Sequence, residues 1–154
     1  MTDAALNVTV VDPGELHDLR RLVLRGADPA ADVVEPRDDD PRALHLAGSV
    51  GGVIVVCASI FAAPFPPDPG DDDHQLRFMA TDPAVQGRGL GAAVLAEAER
   101  RLRVDATTRL WAYARDSALG FYRAVGWHVV PGSEFVSVDT GLPHTMIVKP
   151  LVDE

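Results

Sequence analysis

The chain predicts a mixed α/β fold layered around one twisted sheet, and three observations carry that prediction. Strand-like and helix-like patterns alternate along its length. A glycine pair joins two apolar strands. A glycine-rich loop stands between an apolar run at 76–81 and an alanine-rich helical pattern at 92–102. The elements read in order as strand, helix, hairpin, strand, helix, strand, helix, strand, strand.

Residues 7–11 alternate as the first strand. Asp12, Pro13 and Glu15 then stand at N-cap, N1 and N3 of a helix whose apolar residues Leu16, Leu19, Leu22 and Val23 share one face, and Gly26 ends it. Strands follow at 43–50 and 53–61, separated by Gly51 and Gly52, the pair that a primed hairpin turn favours. Acids cluster in two proline-containing segments, Asp28, Asp32, Glu35, Asp38, Asp39 and Asp40 in one and Asp68, Asp71, Asp72 and Asp73 in the other. Both segments read as solvated surface loops, with an acidic rim that steers a cationic amine as the alternative. Residues 75–81 form the strand that feeds the glycine loop, and Leu90, Val94, Leu95, Ala98 and Leu102 mark the inner face of the helix behind it. A strand at 109–113 follows, then a short helix at 117–125 with Ala118, Leu119, Tyr122 and Val125 on one side and Gly126 as its stop. Strands at 127–130 and 144–149 close the sheet.

With 154 residues the chain is expected to form a single domain over 1–154, large enough for one substantial core. The longest apolar run, 53–61 interrupted by Ser59, is too short to span a bilayer, so no membrane association is expected. Residues 1–7 carry neither a basic region nor a long apolar core, so no secretory signal is read and the cytoplasm is the expected location. Cys57 is the sole cysteine, which excludes an internal disulfide and a cysteine metal cluster; its apolar strand makes it a buried, inert thiol. No metal is expected. A net charge of −9, from 23 acids against 14 basic residues, argues against nucleic acid and suits a cationic partner.

The loop Gln86, Gly87, Arg88, Gly89, Leu90, Gly91 carries the chemistry. Its glycines let the backbone turn tightly and expose N–H groups, and the helix that follows adds a partial positive charge at its N-terminus. That combination cradles phosphate. A P-loop is excluded, because Gly91 is followed by Ala92 and Ala93 where lysine and a hydroxyl would stand. A dinucleotide fold would need an acid closing the next strand, and residues 109–113 end without one. What remains is Gln/Arg, two residues, Gly, one residue, Gly/Ala after a strand and the pair Asp82, Pro83. This resembles the acyl-CoA pyrophosphate loop of the GCN5-related N-acetyltransferases, the GNAT superfamily. A second segment, 114–127, resembles the same superfamily independently: Phe121 and Tyr122, three residues, then Gly126 and Trp127 match its Phe/Leu, Tyr, Gly, aromatic signature.

The resemblance implies a mostly antiparallel twisted sheet whose central parallel pair, 75–81 and 109–113, splays apart, flanked by helices. It implies acetyl-CoA as co-substrate, with backbone groups of Met79, Ala80 and Thr81 on the pantetheine amide and N–H groups from Gly87, Arg88, Gly89, Leu90, Gly91 and Ala92 on the pyrophosphate. Gln86 either joins them or caps the turn, and Arg88 offers a cation to phosphate or to solvent. Tyr122 is the implied acid that assists the departing thiolate, with ring packing on the sheet as the alternative. The glutamate base of some relatives is replaced by Gln75, so His74, Asp116, Glu134 and His144 are the candidates for the base. Among them His144 stands out, because Gly141, Leu142, Pro143, His144 and Met146 resemble the segment before the last strand in one bacterial subgroup; a structural histidine pinning that turn is the alternative. Two asparagines usual in the family are replaced by Tyr113 and Arg115, and Arg115 is a candidate contact to the cofactor's phosphates. The reading is an N-acetyltransferase moving an acetyl group from acetyl-CoA to a primary amine, a homodimer by family habit, with a non-catalytic acyl-CoA sensor on the same fold as the alternative.

Overall fold

In a computed structural model describing residues 5–152, the predicted element order is reproduced with one addition. The elements are β1 (Asn7–Val10), α1 (His17–Leu24), β2 (Leu44–Val50), β3 (Val53–Ala62), β4 (Asp73–Thr81), α2 (Leu90–Val104), β5 (Arg109–Arg115), α3 (Leu119–Ala124), β6 (His128–Val129), β7 (Phe135–Val136) and β8 (Pro143–Pro150). Strand order is β1-β2-β3-β4-β5-β8-β6, with β7 on β8. The sheet is mostly antiparallel, and β4 with β5 is the parallel pair. Their register runs only from Asp73↔Arg109 to Gln75↔Trp111, although the strands are nine and seven residues long. The chain packs as two compact units, one reaching Phe61 and resuming over Arg77–Arg101, the other made of Ala62–Leu76 and the residues from Leu102 onward.

In the first unit Gly51 and Gly52 both adopt left-handed φ, 59° and 81°, which a two-residue primed turn requires between β2 and β3. Its core joins Leu16 and Leu19 to Ala47, Cys57 and Ala80, with Val11, Val23 and Ile54 packed against them. Burial pushes the Cys57 thiol up to about 12, which keeps it protonated and inert as expected.

Three readings of this unit need correction. The first turn after Asp12 is 3-10, Pro13–Leu16, before α1 begins, although Glu15 still accepts the Asp12 N–H at 3.2 Å. On α1 the expected apolar stripe is broken: Leu22 is exposed, while Arg20 is completely buried. The reason lies in the acidic segment, which is not wholly solvated. Asp38 accepts both terminal nitrogens of Arg20, at 2.9 and 3.1 Å, and Arg20 also donates to Val33 O at 2.9 Å and Ser59 Oγ at 2.8 Å. His45 is buried with Nδ1 2.8 Å from Ser59 Oγ and Nε2 2.9 Å from Asp38 O.

In the second unit β5 pairs with β8 along its whole length, and the core gathers Phe65, Trp111 and Met146, with Trp111 Nε1 donating to Ala63 O at 2.9 Å. Asp73, read as a loop residue, instead opens β4 and is buried, because Arg109 donates to both its oxygens at 2.9–3.0 Å and the Phe65 and Gly70 N–H groups add two more bonds. The added element, β7, is two exposed residues long, too short for any periodicity to announce it. Among the described residues no helix is long and apolar enough to cross a membrane.

Candidate functional site

The glycine loop lies in the first unit, where β4 hands over to α2. Asp82 starts a single 3-10 turn, Pro83–Val85, its carboxylate accepting the Ala84 N–H at 2.9 Å, and its own N–H is held by Val55 O at 2.7 Å. The chain then runs exposed from Gln86 to Gly89. Gly87 and Gly89 have φ of +81° and +76°, and an added Cβ at either would meet nothing within 4 Å. These two positions therefore require glycine for its backbone freedom and not for want of space.

The Ala93 N–H bonds back to Gly89 O at 3.2 Å, which closes the first turn of α2. The N–H groups of Leu90, Gly91 and Ala92 thus precede any intrahelical acceptor and point out of the helix start. At the start of a fifteen-residue helix, they carry the positive end of a full helix dipole. Gln86, exposed, donates through Nε2 to Thr81 O at 3.0 Å, so its side chain ties the end of β4 to the loop. Arg88 stands in the exposed part of the loop. Met79, Ala80 and Thr81 end β4, with Ala80 buried in the unit's core.

In the second unit Tyr122 lies on α3 and is 7% exposed, its ring edge-on to Phe121 and Trp127 at 5.1 and 5.3 Å. Burial pushes its phenol well above the ordinary value, so it keeps its proton at neutral pH. The helix ends as its motif prescribes: Gly126 has φ +97°, and the Trp127 N–H returns to Tyr122 O at 3.0 Å.

Arg115 and His144 are Cα partners across β5 and β8, and Phe135 of β7 pairs with His144 from the other side. His144 Nδ1 is 2.9 Å from Leu142 O. A carbonyl only accepts, so Nδ1 carries the proton of the neutral ring and Nε2 is left with its lone pair. The other candidate bases are engaged differently. Asp116 accepts the Thr145 hydroxyl at 2.7 Å, His74 Nδ1 is 3.3 Å from Thr107 Oγ1, and Glu134 is exposed.

Phe78, unanticipated from the sequence, has a left-handed φ of 55° in the middle of β4, immediately before Met79. No residue type in the run Arg77, Phe78, Met79 signals such a turn.

Comparison with known proteins agrees with this architecture. The model of the acetyltransferase (GNAT) family matches residues 15–127, and the chain belongs to that family. An uncharacterized N-acetyltransferase, YitI, of Bacillus subtilis (strain 168) is 23% identical over 122 residues, covering 79% of this chain and 82% of its own. Among solved structures, an aminoglycoside 6'-N-acetyltransferase complexed with coenzyme A superposes with a TM-score of 0.73 at 10% identity, covering 96% of this chain and 98% of its own. The ribosomal-protein-S18-alanine N-acetyltransferase from Escherichia coli does so with a TM-score of 0.70 at 18% identity, covering 97% and 96%. At these identities the likeness to solved structures is one of fold.

Proposed function

We propose that the protein is an acetyl-CoA-dependent N-acetyltransferase that acylates a primary amine by direct attack in a ternary complex, residues 1–154 serving as one acetyltransferase domain in the cytoplasm. The observation that carries the reading is the glycine loop: two left-handed glycines and three outward N–H groups at the start of a fifteen-residue helix form an anion cradle in the stretch matched by the family model. The coenzyme A bound to one fold neighbour supports acyl-CoA as the anion's source.

In this reading Gly87 to Ala92 hold the pyrophosphate, Arg88 and Arg115 add positive charge to the phosphates, and Met79, Ala80 and Thr81 bond the pantetheine arm through their backbone. The amine nitrogen attacks the thioester carbonyl, the C–N bond forms and the C–S bond breaks. Holding the two reactants together contributes roughly 7–11 kcal/mol to the barrier reduction. A backbone N–H near Met79 or Thr81 stabilises the oxyanion. His144, through Nε2, takes the proton the amine loses. Tyr122 hydrogen-bonds the departing sulfur. Tyr122 keeps its proton, since burial disfavours the phenolate; the departing thiolate takes a proton from solvent and His144 returns to solvent the one it took from the amine, so the step balances. An acidic chain suits a cationic acceptor, and the two named neighbours, one acting on aminoglycosides and one on a protein's alanine, show how widely acceptors differ on one fold.

The cradle is tested by Gly89→Val. A β-branched residue is strained at φ +76°, so the loop gives up its geometry and acetyl-CoA affinity, read by calorimetry, falls about 10- to 100-fold with little change in melting temperature. Unchanged affinity in the variant would remove the loop from the site.

A further inference from the structure

A bulky aromatic residue in left-handed φ is an outlier that persists only when its surroundings hold it. Phe78 is such a residue, and the groups holding it are unusual. The guanidinium of Arg20 lies over its ring at 4.0 Å from the centroid and that of Arg77 at 4.6 Å. Each cation is itself fixed. Arg20, completely buried, is bound by both oxygens of Asp38 and by Ser59 Oγ, and Arg77 is paired with Glu35, a carboxylate that also accepts Arg37 Nε at 2.9 Å. The Phe78 carbonyl accepts the Cys57 thiol at 3.3 Å, so both its side chain and its backbone are tied down.

A single left-handed residue in an extended strand rotates the peptide planes that follow it. Here those planes belong to Met79, Ala80 and Thr81. We propose that Arg20 and Arg77, anchored by Asp38 and Glu35, form a cationic clamp on the Phe78 ring that sets the direction of the Met79–Thr81 backbone groups toward the pantetheine and thioester of acyl-CoA. The inference rests on the reading that these backbone groups hold pantetheine. Arg20, Arg77 and Phe78 are positioning residues: they act through the backbone they orient. Two cations over one ring repel each other, and the carboxylates of Asp38 and Glu35 offset that repulsion so that both stay over Phe78.

The test compares two ligands that share the phosphates and differ in the arm. Calorimetric affinities for acetyl-CoA and for 3'-phosphoadenosine 5'-diphosphate are measured on wild type, Phe78→Leu, Arg77→Met and Phe78→Tyr. Leu removes the aromatic face at similar volume, Met keeps the stem of Arg77 without its charge, and Tyr keeps the face. Arg20 is left intact because its loss would strand a buried carboxylate. The clamp predicts about 10-fold weaker acetyl-CoA binding in Phe78→Leu and Arg77→Met, unchanged binding of the phosphate half, and near wild-type behaviour in Phe78→Tyr. Equal retention of both ligands in Phe78→Leu and Arg77→Met overturns the clamp and leaves the acyl-CoA reading standing. A parallel loss of both ligands also overturns it, since that reports general loosening. Failure of wild type to bind acetyl-CoA overturns the underlying reading and the clamp with it.

Discussion

Asp38→Ala is expected to lower unfolding stability by about 3–5 kcal/mol, because it leaves the fully buried Arg20 cation without its counter-charge. For a chain of this size that corresponds to a fall of roughly 6–20 °C in melting temperature. Asp40→Ala is the contrast. Asp40 pairs with Arg42 at 2.9 Å on the surface, where water screens the pair, so its loss should be near neutral. The double variant Arg20→Met, Asp38→Leu removes both charges and should recover much of the loss. The same pair sets a pH dependence. Burial alone would raise the Asp38 pKa, but the Arg20 hydrogen bonds, the Glu35 N–H and the Arg20 charge outweigh it and hold the carboxyl below its ordinary value. A carboxyl depressed in the folded state contributes stability above its unfolded pKa of about 3.9 and loses it as pH falls through the folded value. Wild type should therefore lose stability more steeply than Asp38→Ala as the pH drops below about 4, read by denaturant titration at each pH. A loss under 1 kcal/mol in Asp38→Ala at pH 7 would show that the pair contributes little.

Tyr122→Phe is expected to lower kcat about 100-fold while leaving the KM for acetyl-CoA within about threefold, the pattern of an interaction made as the sulfur departs. Phenylalanine keeps the ring contacts to Phe121 and Trp127, so the fold should be undisturbed. Because burial raises the phenol above its usual value of about 10, wild type should show no loss of kcat from tyrosine ionisation between pH 8 and 10. Unchanged kcat in the variant would reduce Tyr122 to a packing residue.

What could be read from the sequence was local in the chain. Gly87 and Gly89 signal left-handed turns by residue type, and their cradle is completed by a helix that begins at the next residue. The Phe121, Tyr122, Gly126, Trp127 run likewise closes its own helix, through Trp127 N–H on Tyr122 O. Pairs distant in sequence were hidden. Arg20 and Asp38 are 18 residues apart and Asp73 and Arg109 are 36, and nothing in a run of acids marks which member will be buried against an arginine. The same distance hides the Phe78 clamp, since the cations over its ring are Arg20 of α1 and an Arg77 paired with a carboxylate at position 35. A two-residue strand such as β7 carries no pattern at all.

The most direct measurement is thiol release from acetyl-CoA across polyamines, aminoglycosides, amino acids, arylalkylamines and basic peptides, with the acetylated product followed by mass. At least one amine is expected to give saturable release matched one for one by an added acetyl group, and Tyr122→Phe is expected to slow it. Saturable acetyl-CoA binding with no thiol released by any amine would contradict the transferase reading and favour a protein that senses acyl-CoA without consuming it.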